Sequence, residues 1–212
     1  INLNHNNPNI KREDLCASFE KTVTETLIEN TLKALKSINL KTIALGGGVS
    51  ANSYIREKFL KLEKDGIVFI NDIKEADGKT IIRAHGVEKN IYTEAKERNI
   101  ELVDLTCPNV LKIHDVVEDF SSKGYYIFLI GKKEHPEIIG TYSFAGQNCT
   151  IISNEDEVEI AVKKLEESKL NNLLIISQTT YNLQVFNEIS EKVKEELKNK
   201  DIHMEIKNTI CY

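Results

Sequence analysis

Short apolar stretches alternate with helical patterns along this 212-residue chain from residue 67 onward. The segments between the stretches place apolar residues at helical spacing, most clearly in residues 158–165 and 183–197. Short apolar strands separated by helices are typical of parallel sheets covered on both faces. We therefore predict an α/β fold, with parallel sheets flanked by helices, for residues 67–212. The predicted strands are Val68–Ile70, Thr80–Ala84, Glu101–Leu105, Tyr125–Ile130, Thr150–Ile152, Leu173–Ile176 and His203–Ile206.

The first 66 residues have a different pattern. Apolar residues at helical spacing predict a long amphipathic helix over Arg12–Ser37, followed by a short strand over Lys41–Leu45. Three glycines, Gly46 to Gly48, then form a turn, and Ser50 can cap a second helix that runs to about Lys64. This predicts two domains, 1–66 and 67–212, joined near residues 65–66 without a flexible linker.

Composition and charge limit the class of protein. No run of residues approaches the roughly 18 consecutive apolar residues of a membrane span, and the start lacks the features of a signal peptide, so we expect a cytoplasmic protein and no membrane partner. Residues 67–212 carry 18 basic against 25 acidic side chains, a balance that disfavours direct nucleic-acid binding. The chain begins with Ile1 and stops at Cys211 and Tyr212, immediately after a strand-like stretch, so we expect a fragment at both ends.

Four cysteines are widely spaced, and none belongs to a C-x-x-C pair, so a secreted disulfide framework is not expected. By spacing alone they can be reduced thiols in a core, the interpretation we give to Cys16 and Cys149. Cys107 differs because it ends a strand and precedes Pro108, a residue favoured at the first position of a helix. Its sulfur would face helix amides, which stabilise a thiolate. Cys211 follows the last strand in the same way, so two thiolates could face one point.

Polar clusters follow five of the predicted strands, where a parallel α/β sheet binds its ligands. Their convergence favours a site. His135, near a helix start, suits a phosphate, while Glu137 could transfer a proton. Thr179 and Thr180 offer hydroxyls to a substrate, but this segment could equally be the cap of the next helix. The clusters are Arg83–Gly86, Thr106–Pro108, His135–Glu137, Ser177–Thr180 and Asn208–Cys211.

Five segments, IIRAHGV, DLTCPNVLKIHD, GKKEHPEIIGT, ISQTT and NTIC, resemble successive hallmarks of the hydroxymethylbutenyl diphosphate reductase (IspH/LytB) family. The resemblance covers residues 67–212. It implies three similar α/β lobes around a [4Fe-4S] cluster held by three cysteines, and Cys107 and Cys211 match two of these metal ligands. It also implies that His85 and His135 bind the diphosphate, that Glu137 delivers a proton and that Thr179 contacts the substrate hydroxyl.

The same resemblance implies a reaction of isoprenoid precursor biosynthesis. Two electrons from ferredoxin or flavodoxin remove the hydroxyl of the substrate as water and yield isopentenyl and dimethylallyl diphosphate. The chain departs from the family pattern in two places, because the glycine-rich segment with the first cluster cysteine and an early His is absent, and so is the family's segment beyond the last cysteine. We therefore expect an incomplete reductase site that lacks its third cysteine ligand.

Residues 1–66 resemble instead the C-terminal part of the tRNA threonylcarbamoyladenosine transferase (TsaD/Kae1) family, through EDLCASFEKTV and IALGGGVSANSYIREKF. That resemblance implies a helix-strand-helix fragment of the sugar-kinase and heat-shock ATPase fold. Gly47, Gly48 and Asn52 would contact ATP or an adenylate, although three glycines are also consistent with a plain tight turn. The metal-binding His pair and Asp of that family are absent.

Two alternatives to the reductase interpretation follow. One is a fragment of a tRNA N6-adenosine threonylcarbamoyltransferase, the only interpretation with tRNA as a partner. The other is a non-catalytic chimeric remnant, joined near Leu62–Ile67. In a chimera the apolar face of the first helix would lack its original partner, so we predict an exposed apolar patch and self-association.

Overall fold

The computed structural model describes residues 11–38, 54, 57–58, 70, 72–76 and 78–211, and it divides the chain into compact units of residues 1–81 and 82–212. Several sequence predictions lie outside the described residues. These are the strands Lys41–Leu45 and most of Val68–Ile70, the glycine turn with Gly47, Gly48 and Asn52, and the domain boundary near residues 65–66.

The first unit contains helix α1, Arg12–Ile38, and a short 3-10 helix, Ile73–Glu75. The sequence prediction for α1 is confirmed to within one residue at its end. Glu13 and Asp14 lie in its first turn, where carboxylates interact favourably with the positive end of the helix dipole. Its predicted apolar side is partly open to solvent, since Phe19 is 70% exposed.

From residue 79 onward strands and helices alternate as predicted, and the boundary between the two units falls within the first of these strands. A two-stranded sheet contains β1 and β2, and a four-stranded sheet has the order β4-β3-β5-β6. A second 3-10 helix, Glu155–Glu157, precedes α5. The elements are β1 Lys79–Ile82, α2 Lys89–Glu97, β2 Glu101–Asp104, α3 Pro108–Ser122, β3 Tyr126–Ile130, α4 Pro136–Phe144, β4 Cys149–Ile152, α5 Val158–Ser168, β5 Asn172–Ser177, α6 Leu183–Leu197 and β6 His203–Lys207.

All strand pairs of the four-stranded sheet are parallel. The register places Tyr126 opposite Leu173 and Ile127 opposite Cys149. Every residue of the central strand β3 is buried, which explains why its sequence is a continuous apolar run instead of an alternating one. Because the strands are parallel, the loops after β3, β5 and β6 all leave from the same edge of the sheet.

Successive side chains of the central strands pack on opposite faces of the sheet. On one face Phe128 and Ile175 pack against α5 and α6, and on the other Leu129 and Ile176 pack against α3 and α4. The result is a helix-sheet-helix sandwich with a core on each side. These two cores hold the carboxyl edge of the sheet in place.

Gly131 permits the close packing of the loop after β3. A Cβ atom at this position would lie 2.4 Å from Cδ1 of Ile138 and 3.0 Å from Cβ of Gln178. Contacts this short do not occur in folded proteins, so only glycine lets the loop pass between α4 and the end of β5. The loop thereby places residues 135–137 beside residues 177–179.

Candidate functional site

A buried carboxylate and a threonine form the centre of the site. Glu137, in the first turn of α4, is 1% exposed. The backbone N–H of Thr179 donates to its Oε1 at 2.6 Å, and the Thr179 hydroxyl donates to its Oε2 at 2.7 Å. Both oxygens of the Glu137 side chain therefore have hydrogen-bond partners, as buried polar atoms require. The pair joins the loops that follow β3 and β5.

The helix after β5 has its own cap, which answers the question left open by the sequence. The side chain of Asn182 accepts from the backbone N–H of Val185 at the start of α6. Thr179 lies further upstream and bonds to Glu137 instead. The segment thus contains a helix cap and, separately, a hydroxyl within the site.

His135 is the N-cap residue of α4, in agreement with its predicted position near a helix start. Its Nδ1 accepts from the backbone N–H of Glu137 at 3.2 Å. Burial lowers the pKa of His135, Glu137 opposes this effect, and His85, Lys132 and Arg83 add to it. A neutral ring that accepts at Nδ1 carries its proton on Nε2. His135 can therefore donate a hydrogen bond from Nε2 to an anion.

His85 lies beside His135, with ring centroids 5.2 Å apart in an edge-to-face arrangement. Its Nδ1 is buried and has no hydrogen-bond partner among the described residues. Arg83 precedes it by two positions and is half-buried, and this burial lowers the pKa of its guanidinium group. Two imidazoles thus lie close together near the first turn of α4, where backbone N–H groups also favour anions.

Gln178 is a residue of the site to which the sequence interpretation gave no role. Its side chain is buried, its Oε1 accepts from the backbone N–H of Lys132, and its Nε2 donates to the Thr180 hydroxyl at 2.7 Å. Its backbone N–H donates to the carbonyl of Ile130. The sequence signal for Gln178 was its position between Ser177 and Thr179 in a polar cluster. Its burial depends on contacts with the loop after β3, which the local sequence does not indicate.

Cys107 and Cys211 lie in two different segments of the chain, and the side chain of Asn109 connects these segments. Cys107 is the N-cap residue of α3 with Pro108 in the first turn, as predicted, although its side chain forms no capping hydrogen bond. Asn109, two residues further along, donates from Nδ2 to Sγ of Cys211 at 3.1 Å. The backbone N–H of Cys211 donates to the carbonyl of Thr179. Cys211 is therefore linked both to α3 and to the Glu137–Thr179 pair.

Cys149 is the first residue of β4 and is buried, as the sequence suggested. Burial raises the pKa of its thiol. The site follows the carboxyl ends of the strands, whereas Cys149 begins its strand, so about four residues of extended chain, roughly 10 Å, separate this thiol from that edge. It does not complete a set with Cys107 and Cys211.

A cluster with three cysteine ligands needs three thiols directed to one point. In the described part of the second unit only Cys107 and Cys211 follow the ends of strands, and no group of three His, Cys, Asp or Glu side chains suited to a metal ion occurs among the described residues. The residues present fit part of such a ligand set and do not fit the whole. We therefore derive no step of chemistry through a cluster.

The family model of the LytB protein matches residues 22–212. The chain belongs to the LytB family. A similar protein is the 4-hydroxy-3-methylbut-2-enyl diphosphate reductase of Alkaliphilus oremlandii, 35% identical over 176 residues, which are 82% of this chain and 60% of the relative. The reductase of Clostridioides difficile is 35% identical over 66% of this chain and 51% of its own length. The chain thus spans between half and two thirds of the length of these LytB relatives.

Solved structures give the same result for the fold. The E-1-hydroxy-2-methyl-but-2-enyl-4-diphosphate reductase of Plasmodium falciparum superposes with a TM-score of 0.68 at 31% identity, over 87% of this chain and 56% of that one. A second reductase structure, 24% identical, has a TM-score of 0.67 and supports the fold alone. The α/β fold with parallel sheets flanked by helices is therefore that of the LytB family.

The LytB match begins at residue 22 and so includes much of the segment that resembled the threonylcarbamoyl transferases. The comparisons give that second resemblance, and a chimeric origin, no support. Of the predicted sugar-kinase fragment the structure describes mainly helix α1, and the proposed nucleotide contacts at Gly47, Gly48 and Asn52 lie outside the described residues. Within the described part of the chain, no helix combines the length and apolarity needed to cross a bilayer.

Proposed function

We propose that this LytB chain is part of a 4-hydroxy-3-methylbut-2-enyl diphosphate reductase. In this reaction two electrons and two protons convert the C–O bond of the substrate alcohol to a C–H bond and release water. The observation that carries the proposal is the buried Glu137–Thr179 pair beside the two imidazoles of His85 and His135. Membership of the family supplies the class of substrate, an allylic alcohol that carries a diphosphate.

His85 and His135 bind the diphosphate in this proposal. His135 donates from Nε2, because its Nδ1 is already occupied by the N–H of Glu137. The Nδ1 of His85 has no partner among the described residues and can therefore accept or donate to the ligand or to a bound water. Both rings lie close to the first turn of α4, whose N–H groups stabilise negative charge.

Glu137 and Thr179 handle the proton and the hydroxyl. The Thr179 hydroxyl donates to Oε2 of Glu137, which leaves its oxygen free to accept a hydrogen bond from the substrate alcohol. Protonation of the leaving oxygen uses the reverse order of donors: a protonated Glu137 donates to the Thr179 oxygen, and the Thr179 hydroxyl gives its own proton to the leaving oxygen. Burial of both residues keeps competing water away from this route.

Cys107 and Cys211 are proposed as two ligands of the family's [4Fe-4S] cluster, which would supply the electrons when it is bound. The third thiolate would come from outside this sequence, since all four of its cysteines lie among the described residues and Cys149 is remote from the site. Ferredoxin or flavodoxin is the proposed electron donor, and a cytoplasmic location stays a prediction. Asn109, which contacts the sulfur of Cys211, keeps the two segments together.

The experiment that tests the proposal is anaerobic iron-sulfur reconstitution of the full chain, followed by measurement of iron and sulfide per chain and of product formed with a chemical reductant. We expect iron in the wild-type chain and its loss in Cys107→Ser and in Cys211→Ser. Cys149→Ser is the matched control, because this thiol begins β4 and does not lie at the site edge. Iron that is unchanged in the two site variants, or absent from the wild type, would refute the ligand assignment.

Self-association also stays a prediction. Phe19 and Leu27 are exposed large apolar side chains of α1, which favours contact with a second apolar surface. We expect a concentration-dependent increase in apparent mass by size-exclusion chromatography with light scattering, and a decrease in Phe19→Glu. A monomer at every concentration would contradict it.

A further inference from the structure

His114 is a buried imidazole that has no role in the proposed reaction. It lies on α3, is 2% exposed, and stacks on the ring of Phe144 with centroids 4.3 Å apart and planes 17° from parallel. Phe144 is the last residue of α4, the helix that begins with the site residues His135 and Glu137. His114 therefore packs directly on the element that positions the centre of the site.

The other contacts of His114 are with the loop that carries His85. A Cβ atom at Gly86 would lie 3.0 Å from Cε1 of His114, and Gly86 has a φ of +74°, so this position is restricted to glycine both by space and by backbone conformation. The His114 ring thus packs against Gly86, the residue that follows His85.

Gly140 on α4 lies close to Nε2 of the His114 ring. A Cβ atom at Gly140 on α4 would lie 3.3 Å from the carbonyl oxygen of Val87 and 3.7 Å from Nε2 of His114. The carbonyl and the ring nitrogen therefore border the same small space, which exists because residue 140 has no side chain.

Neither ring nitrogen of His114 has a hydrogen-bond partner among the described residues. Buried polar atoms without partners are rare and destabilise a fold, and a leucine or phenylalanine could fill the same space without this cost. Burial lowers the pKa of His114 to about 4, against the attraction of Asp104 and Asp115. The ring is thus neutral at neutral pH and offers one donor and one acceptor.

We propose that His114 is a positioning residue of the anion site, whose Nε2 bonds to the Val87 carbonyl when a diphosphate is bound and so fixes the loop that carries His85. This inference rests on the proposed function, since it assigns His85 to the diphosphate. The Nε2 of His114, which has no partner among the described residues, is then one of the groups that binding satisfies. The cost of leaving it unpaired is recovered in the complex.

The test uses the full chain and inorganic pyrophosphate as the probe, with Kd measured by isothermal titration calorimetry and Tm measured in parallel. His114→Phe keeps a flat ring on Phe144 and removes both nitrogens, whereas His114→Gln restores a polar group near Nε2. We expect His114→Phe to raise Kd about tenfold with Tm unchanged or higher, and His114→Gln to stay within about threefold of the wild type. His203→Phe, at an exposed histidine of β6, is the matched control and should change neither value.

A second variant tests the same contact from the other side. Gly140→Ala would place a methyl group against the Val87 carbonyl, so we expect it to raise Kd while His114 is intact. An unchanged Kd in His114→Phe, or the same loss in His114→Gln as in His114→Phe, would show that His114 has only a packing role. The proposed function would still stand in that case, provided that His85→Ala abolishes binding. A wild-type chain that does not bind pyrophosphate would overturn both.

Discussion

Two groups of buried polar side chains occur in the second unit, and they differ in how their hydrogen bonds are satisfied. In the first group, both oxygens of Glu137 accept from Thr179, and the amide of Gln178 bonds to Lys132 and Thr180. In the second group, nitrogens of His85 and His114 are buried without partners among the described residues. The hydrogen bonds of the first group are satisfied within the protein, whereas the second group has nitrogens with no partner among the described residues.

The two groups show two ways in which a folded protein can be prepared to bind a ligand. A fully paired carboxylate is held in one geometry before the substrate arrives, which lowers the cost of reorganisation during the reaction. Unpaired imidazole nitrogens cost stability in the free protein, and a ligand that pairs with them recovers this energy. We therefore expect substitutions in the first group to reduce stability most, and those in the second to reduce affinity most.

The largest effect is expected for Glu137→Ala. This change leaves the buried N–H and hydroxyl of Thr179 without an acceptor and creates a cavity, so we expect a loss of about 3 kcal/mol in the free energy of unfolding. Urea denaturation followed by circular dichroism measures it. Glu191→Ala is the control, because Glu191 pairs with Lys194 on the surface, where such pairs contribute about 0 to 1 kcal/mol. Equal losses in both variants would mean that the Glu137 pair does not stabilise the fold.

A smaller effect is expected for Gly131→Ala. The added methyl group would overlap the side chain of Ile138 on one side and that of Gln178 on the other, and overpacking of this kind costs about 1 to 3 kcal/mol. Gly124→Ala is the comparison, since Gly124 has open space but a φ of +79°, and we expect about 1 kcal/mol there from backbone strain alone. Thermal unfolding of the two variants separates steric overlap from strain. A smaller loss at residue 131 than at residue 124 would contradict the close packing of the loop.

The sequence predicted much of this fold because apolar runs and helical spacing depend on local pattern. The strands of the four-stranded sheet begin and end within about two residues of the predicted bounds, and the helix Arg12–Ile38 within one. Polar clusters follow the strands as the pattern indicated, but β1 and β2 form a sheet of their own, so only the clusters after β3, β5 and β6 share the edge of the four-stranded sheet. Patterns of this kind need no knowledge of distant residues.

The pairing of side chains could not be predicted in this way. Thr179 bonds to Glu137, which is 42 positions away along the chain, and the sequence was equally consistent with a helix cap. Asn109 contacts Cys211 across 102 positions, and no local pattern indicates such a contact. His114 has the spacing of a core residue on α3, so only its surroundings distinguish it from an apolar side chain. These features depend on tertiary packing.

A pH-dependent effect is expected for His114. Its pKa in the folded chain is about 4, below the ordinary value of 6.5, so the unfolded chain binds the proton more readily. Its contribution to stability is therefore fully present above pH 6.5 and is lost as the pH falls toward 4. When the pH is lowered from 7 to 4.5, we expect the free energy of unfolding to fall by about 2 kcal/mol more in the wild type than in His114→Phe.

Denaturation at the two pH values, with His203→Phe as a control, measures this difference. His203 is exposed and lies 3.9 Å from a carboxylate oxygen of Glu205, so His203→Phe shows the effect of replacing a histidine at the surface. The effects of Asp104 and Asp115 on His114 are included in the comparison, because both carboxylates are present in each variant. If His114→Phe has the same pH dependence as the wild type, the pKa of His114 is the same in the folded and unfolded chain, which contradicts the prediction.

The smallest effect is expected for Gln178→Met. Methionine fills a similar volume but removes the acceptor of the Lys132 N–H and the donor to the Thr180 hydroxyl, so we expect a loss of about 1 kcal/mol. Gln184→Met on α6 is the matched control, because Gln184 is exposed and bonds to Glu188 at the surface. Since Gln178 belongs to the paired group, its removal should lower stability, whereas His114→Phe at pH 7 should not. A loss in Gln178→Met no larger than that in Gln184→Met would remove the distinction between paired and unpaired buried groups.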